Sequence, residues 1–124
     1  MIKISLLLIS IFSLLYGLVF SFAPYFFAEL TQAEPTNIAW LRNIGASICG
    51  VLFFGLLYVY RSPSKNYDLF MIITITSILQ TLGLIFSRFY NEFSAQNTLV
   101  IDFTIYSAIF VSLYLVYILS LIHI

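Results

Sequence analysis

Four continuous apolar runs dominate the chain, near residues 4–22, 38–60, 69–86 and 99–122. Each is long enough as a helix to cross the roughly 30 Å of hydrocarbon in a bilayer. The third is the shortest, about 27 Å at the rise of an α-helix, and it still suffices. Backbone polar groups have no water to bond in that medium, so only helices and closed barrels can span it. A barrel needs segments of about ten residues that alternate in polarity. The stretch ITITSI, Ile73 to Ile78, is rich in β-branched residues, but its surroundings are apolar without a break. Helices are therefore predicted. The short polar links PYFFAELTQAEPTN, RSPSKNYD and SRFYNEFSAQNT favour antiparallel neighbours. The expected architecture is all-α: one polytopic membrane domain over residues 1–124, an antiparallel four-transmembrane-helix bundle.

Composition agrees with a lipid solvent. Only 8% of the 124 residues are charged and 62% are hydrophobic, against about 25% charged in a soluble domain. Five basic and five acidic residues give zero net charge, so nucleic acid is not an expected partner. Cys49 is the single cysteine, which excludes an intrachain disulfide or a cysteine-based metal cage. The single histidine, His123, has no acidic or cysteine neighbours. No metal site, cofactor or catalytic set is predicted.

Lys3 precedes the first run, and Arg61 and Lys65 lie between the second and third. The bias of basic residues toward the cytoplasm then puts both chain termini and the middle loop inside, with Arg42 and Arg88 on the outer side. A bacterial cytoplasmic membrane is the expected location. Tyr25, Trp40 and Tyr90 near one rim, and Tyr58, Tyr60 and Tyr67 near the other, suit rings at headgroup depth. The start, MIK followed by an apolar run and SFA, has the outline of a secretory signal. Pro24 directly after the small residues counts against cleavage, and the run is longer than a usual signal core, so a retained anchor is expected.

Helices in lipid associate through close backbone approach and polar contacts. On the first run Ser10, Ser13, Gly17 and Ser21 recur at steps of three and four and share a face. On the second, Gly45, Ala46, Cys49 and Gly50 form a comparable small patch. Both are predicted at helix contacts. Gln80 is the one amide deep in a span, and it needs hydrogen-bond partners there, from another helix or from a ligand. The segment Phe26 to Thr31, FFAELT, also echoes Phe89 to Ser94, FYNEFS. Shared demand for interfacial aromatics and a carboxylate explains that echo as well as duplication does.

Three charges converge on the outer rim: Arg42 entering the second run, Arg88 leaving the third, and Asp102 in the first turns of the fourth. Glu29, Glu34 and Glu92 occupy the loops above. The two arginines have two readings. Either they snorkel to the headgroups, or Arg42 turns inward and pairs with Asp102, clamping the second and fourth helices. Tyr106 lies one turn beyond Asp102, on its face. Together with Gln80, these residues are the candidate lining of a pocket for a lipid with an anionic headgroup or for a quinone-like ring.

The layout resembles the small four-helix integral membrane proteins grouped as DoxX-like. The likeness rests on chain length, the four spans, and Leu41-Arg42 followed by Gly45 and Gly50 opening the second helix. Some members of that group are associated with quinone-linked redox complexes, which implies a partner subunit here. Three functional readings follow, in this order of preference. The first is a structural or accessory subunit that binds a membrane-protein partner or a second copy of itself. The second is a binder or carrier of a small amphipathic molecule or lipid. The third is an intramembrane enzyme using Asp102 with Tyr106 or Glu92, and it ranks behind the non-catalytic readings.

Overall fold

The computed structural model of the chain describes residues 2–31, 38–93 and 98–123, without the side chains of Ala39 and His123. Glu34 therefore lies outside the described residues. Helix α1 spans Ile2–Phe22 and the short α2 spans Pro24–Thr31. Helix α3 runs without a break through three segments: α-helical Ile38–Ser47, π-helical Ile48–Phe54 and α-helical Gly55–Arg61. Helix α4 spans Tyr67–Phe89, and α5 spans Leu99–His123. Among the described residues, four helices are long and apolar enough to cross a membrane, over Ile2–Phe22, Trp40–Arg61, Tyr67–Phe89 and Leu99–Ile122. Large apolar side chains such as Leu8, Phe54, Leu79 and Phe110 cover the exterior. Water would drive such a surface to aggregate, whereas lipid solvates it. The chain is an integral membrane protein with an all-α fold.

Local chemistry sets the helix ends. Ala23 leaves the helix because a proline follows, which disfavours helical backbone in the residue before it. Pro24 then starts α2, where its missing N–H costs nothing. Ala23 still donates to the carbonyl of Val19 at 2.9 Å, so α2 departs from α1 as a bend. Helix α3 stops at Ser62, with φ −156°, directly before Pro63. The Asn66 side chain donates back to the Ser62 carbonyl at 2.9 Å and closes the turn. Helix α4 ends in a Schellman motif. Asn91 takes the left-handed conformation, φ 55°, its N–H bonds the Arg88 carbonyl, and Glu92 N–H bonds that of Ser87 at 2.9 Å. The two echoed segments thus diverge, since FFAELT is helical in α2 whereas Phe89, Tyr90 and Asn91 terminate α4.

Mid-span, α3 carries a π-helical segment where the sequence shows no break. Gly55 N–H reaches the carbonyl of Gly50, five residues back, the spacing of a π-helix. Hydropathy is blind to this feature because the run is equally apolar whichever carbonyl accepts each bond.

The four long helices assemble as two pairs. Helix α1 packs along the whole of α3, and α4 packs along α5. The pairs meet at the end that carries the 62–66 turn. There Leu6, Ile9, Leu52, Leu56, Val59, Phe70, Ile73, Leu115 and Ile118 form the core. Lys3 sits 5.6 Å above the ring of Tyr60 at the same end, a cation–π contact between α1 and α3. Toward the opposite end the pairs separate, and α2 approaches both α3 and α5.

Small residues explain the first pair. Ser10, Ser13 and Gly17 are buried, and Gly17 and Ser21 face Gly45 and Cys49 of α3. Ala46 and Gly50 point outward, and the space beside Gly50 is open. The predicted small patch on α3 is therefore split, with Gly45 and Cys49 at the helix contact and Ala46 and Gly50 away from it. The second pair is joined by hydroxyls. Ser77 and Ser112 lie 2.9 Å apart, as do Thr81 and Ser112, and Thr81 also donates to the carbonyl of Ser77 at 2.8 Å.

Candidate functional site

Where the pairs diverge they enclose a cavity of about 480 Å3, within the range of about 300–1,000 Å3 typical of small-molecule sites. Leu52 and Val111 belong both to its lining and to the core or its margin, so it begins where the core stops. Phe27 of α2 and Phe93, just beyond α4, line its far end.

One wall is aromatic. Phe12, Tyr16 and Phe20 recur every fourth residue on α1 and so share a face. Their rings meet edge to face, with centroids 5.2 Å and 5.7 Å apart. Phe27 extends the ladder from α2, 4.7 Å from Phe20. Such contacts suit the ring quadrupoles and hold each ring in place. The Tyr16 hydroxyl lies 3.1 Å from Thr104 Oγ1, linking the aromatic wall to α5. The spacing of 12, 16 and 20 was visible in the sequence, but three aromatics among so many apolar residues give no reason to single them out.

The other wall, from α4 and α5, brings Ser77, Gln80, Thr81, Ser87, Thr104 and Ser107 to the cavity. Among its lining residues none carries a charge. Of the candidate pocket residues read from the sequence, only Gln80 is there. Tyr106 is 70% exposed and points outside.

Of the two readings the sequence leaves open for Arg42, the pairing with Asp102 is not formed. Arg42 Nη1 donates to the carbonyl of Ser21 at 2.7 Å, and Ser21 Oγ donates to the carbonyl of Arg42 at 3.3 Å. Arg88 Nε instead bonds Asp102 Oδ1 at 2.8 Å. The helix pairs account for the exchange. Because α3 packs on α1, Arg42 lies beside the last turn of α1, whose carbonyls lack helical partners and carry the negative end of the helix dipole. Asp102 sits on α5, whose neighbour is α4, so Arg88 is the arginine within reach. Each charge is satisfied within its own pair, and neither arginine enters the cavity.

The Arg88 and Asp102 side chains are 36% and 38% exposed, so their attraction is partly screened, between the limits of surface and buried pairs. Arg88→Leu should lower stability by leaving the carboxylate unpartnered at the membrane rim. The double variant Arg88→Leu with Asp102→Asn should recover at least half of that loss. Unfolding in detergent micelles with a denaturing surfactant measures both, and a double variant no better than the single rejects the coupling.

No protein-family model matches the sequence, and neither a curated protein nor a solved structure shows significant similarity to it.

Proposed function

We propose that this membrane protein binds or carries a small, uncharged amphipathic molecule between its two helix pairs. The observation that supports this reading most is the cavity itself, an aromatic wall facing hydroxyls and one amide with no charged lining residue. An apolar space with a few convergent polar groups is the usual form of a small-molecule site. An anionic headgroup, one of the ligands considered from the sequence, finds no cation there. An uncharged ring or chain suits the aromatic ladder. In this reading the 62–66 turn, with Arg61 and Lys65, faces the cytoplasm of a bacterial cell, and the cavity lies in the outer half of the bilayer.

A second reading, an accessory subunit in a larger membrane assembly, draws support from Ala46 and Gly50. Small residues facing outward on a transmembrane helix allow another helix to approach closely. Kinship with DoxX-like proteins would suit either role. Leu41, part of the stretch that carries that resemblance, lines the cavity.

Gentle extraction followed by native mass spectrometry separates the two. Wild-type protein should retain a defined small molecule, and Ser107→Phe, which places a ring in the cavity, should retain at most about a tenth as much. Equal retention by both proteins overturns the cavity reading, and a stoichiometric protein partner without a small molecule supports the accessory role.

A further inference from the structure

We infer that the cavity takes a lipid alcohol, an uncharged amphiphile whose hydroxyl head bridges Ser13 and Gln80 while its apolar body lies along the aromatic ladder. The inference rests on the cavity reading above and names the ligand class.

Among the described residues, seven hydroxyl side chains are buried: Ser10, Ser13, Thr31, Thr74, Ser77, Thr81 and Ser112. Six of them are engaged. Ser10 donates to the carbonyl of Leu6 at 2.8 Å, Thr31 to that of Phe27 and Thr74 to that of Phe70 at 2.8 Å. Ser77, Thr81 and Ser112 satisfy one another across the second pair. Ser13 is the exception. It is only 5% exposed, it bonds no described residue, and it lines the cavity. Buried hydroxyls normally find a partner, so this one is matched to something that enters the space.

Gln80 faces the same cavity from the opposite pair, and its amide bonds no described residue either. Serine offers one donor with acceptor lone pairs, and glutamine offers two donors and a carbonyl. A hydroxyl head, which donates and accepts at once, satisfies both. A carboxylate or phosphate head has no such match, because Arg42 is bonded to Ser21 and Arg88 to Asp102. Such a head would be desolvated without a counterion. Ser13 belongs to the α1–α3 pair and Gln80 to the α4–α5 pair, so a bound alcohol joins the pairs at the depth where they part.

The test uses the full chain in phosphatidylcholine vesicles and two photoreactive probes with a diazirine at the same chain position, one built on hexadecanol and one on palmitate, at alkaline pH. The alcohol should label the wild type saturably, on the peptides carrying Phe12, Tyr16, Phe20 and Phe27, at least about tenfold more than the carboxylate does. Ser13→Ala and Gln80→Met should each lower that labelling about five- to tenfold, the effect of one lost hydrogen bond, with unchanged thermal unfolding. Should either variant unfold, displacement of the alcohol probe from wild type by unlabelled hexadecanol but not by palmitate decides instead. Labelling that Ser107→Phe abolishes but both polar substitutions leave intact overturns the head assignment alone. Labelling that survives Ser107→Phe overturns the cavity reading with it.

Discussion

Gly45→Ala should destabilise the bundle by about 3 kcal/mol, toward the upper end of overpacking effects. A Cβ at this position would lie 2.7 Å from both the carbonyl oxygen of Gly17 and the backbone nitrogen of Ser21. Backbone cannot swing aside as a side chain can, so α1 and α3 must separate. Separation would also stretch the reciprocal bonds between Ser21 and Arg42. Gly50→Ala, five residues on, should be neutral or slightly stabilising. Nothing lies within 4 Å of a Cβ there, and alanine favours helical backbone over glycine by up to about 1 kcal/mol. Surfactant-induced unfolding followed by circular dichroism measures both, and equal effects would show that α1 and α3 do not approach as closely as described.

The second large effect is expected at Phe70, fully buried where the two pairs meet. In a soluble core, phenylalanine to alanine costs about 3–5 kcal/mol, combining lost transfer energy with the void left behind. Here the transfer part is small, because the separated helices would place the ring in lipid tails as apolar as the core. The void remains, and Phe70→Ala should cost about 2–3 kcal/mol on that account. Phe110→Ala on the exterior removes a ring that is 68% exposed and should change stability by no more than about 0.5 kcal/mol. The same unfolding measurement compares them. A loss at Phe70 as small as that at Phe110 would mean that the pairs are not locked together by this core.

Apolarity wrote the four crossings plainly, because hydrocarbon demands long runs and internal hydrogen bonding whatever the helices do next. That Ser10, Ser13, Gly17 and Ser21 share a face was readable too, since a step of three and four residues allows one geometry, but not that Ser13 lines the cavity while Gly17 and Ser21 meet α3. Pairing was not. Ala46 and Gly50 sit beside Gly45 in sequence and share its chemistry, and only the rotation of α3 against α1 separates the buried residues from the outward ones. Arg42 and Arg88 were alike as rim charges, and which of them reached Asp102 depended on which helices became neighbours. The cavity was legible in one residue, Gln80, whose cost in lipid marks it. Tyr16 and Thr104 offered no such signal, because a tyrosine or threonine in an apolar run is common and cheap.

With the apolar core between its two pairs gathered beside the 62–66 turn, the molecule is built like a clothes-peg: a fulcrum at one end and two jaws toward the other, bridged there by the Tyr16–Thr104 bond and by α2. Squeezing by the surrounding lipids does little work on the fulcrum and most of its work on the jaws. Under the proposed binding role, occupancy of the space between them would therefore depend on how tightly the bilayer is packed.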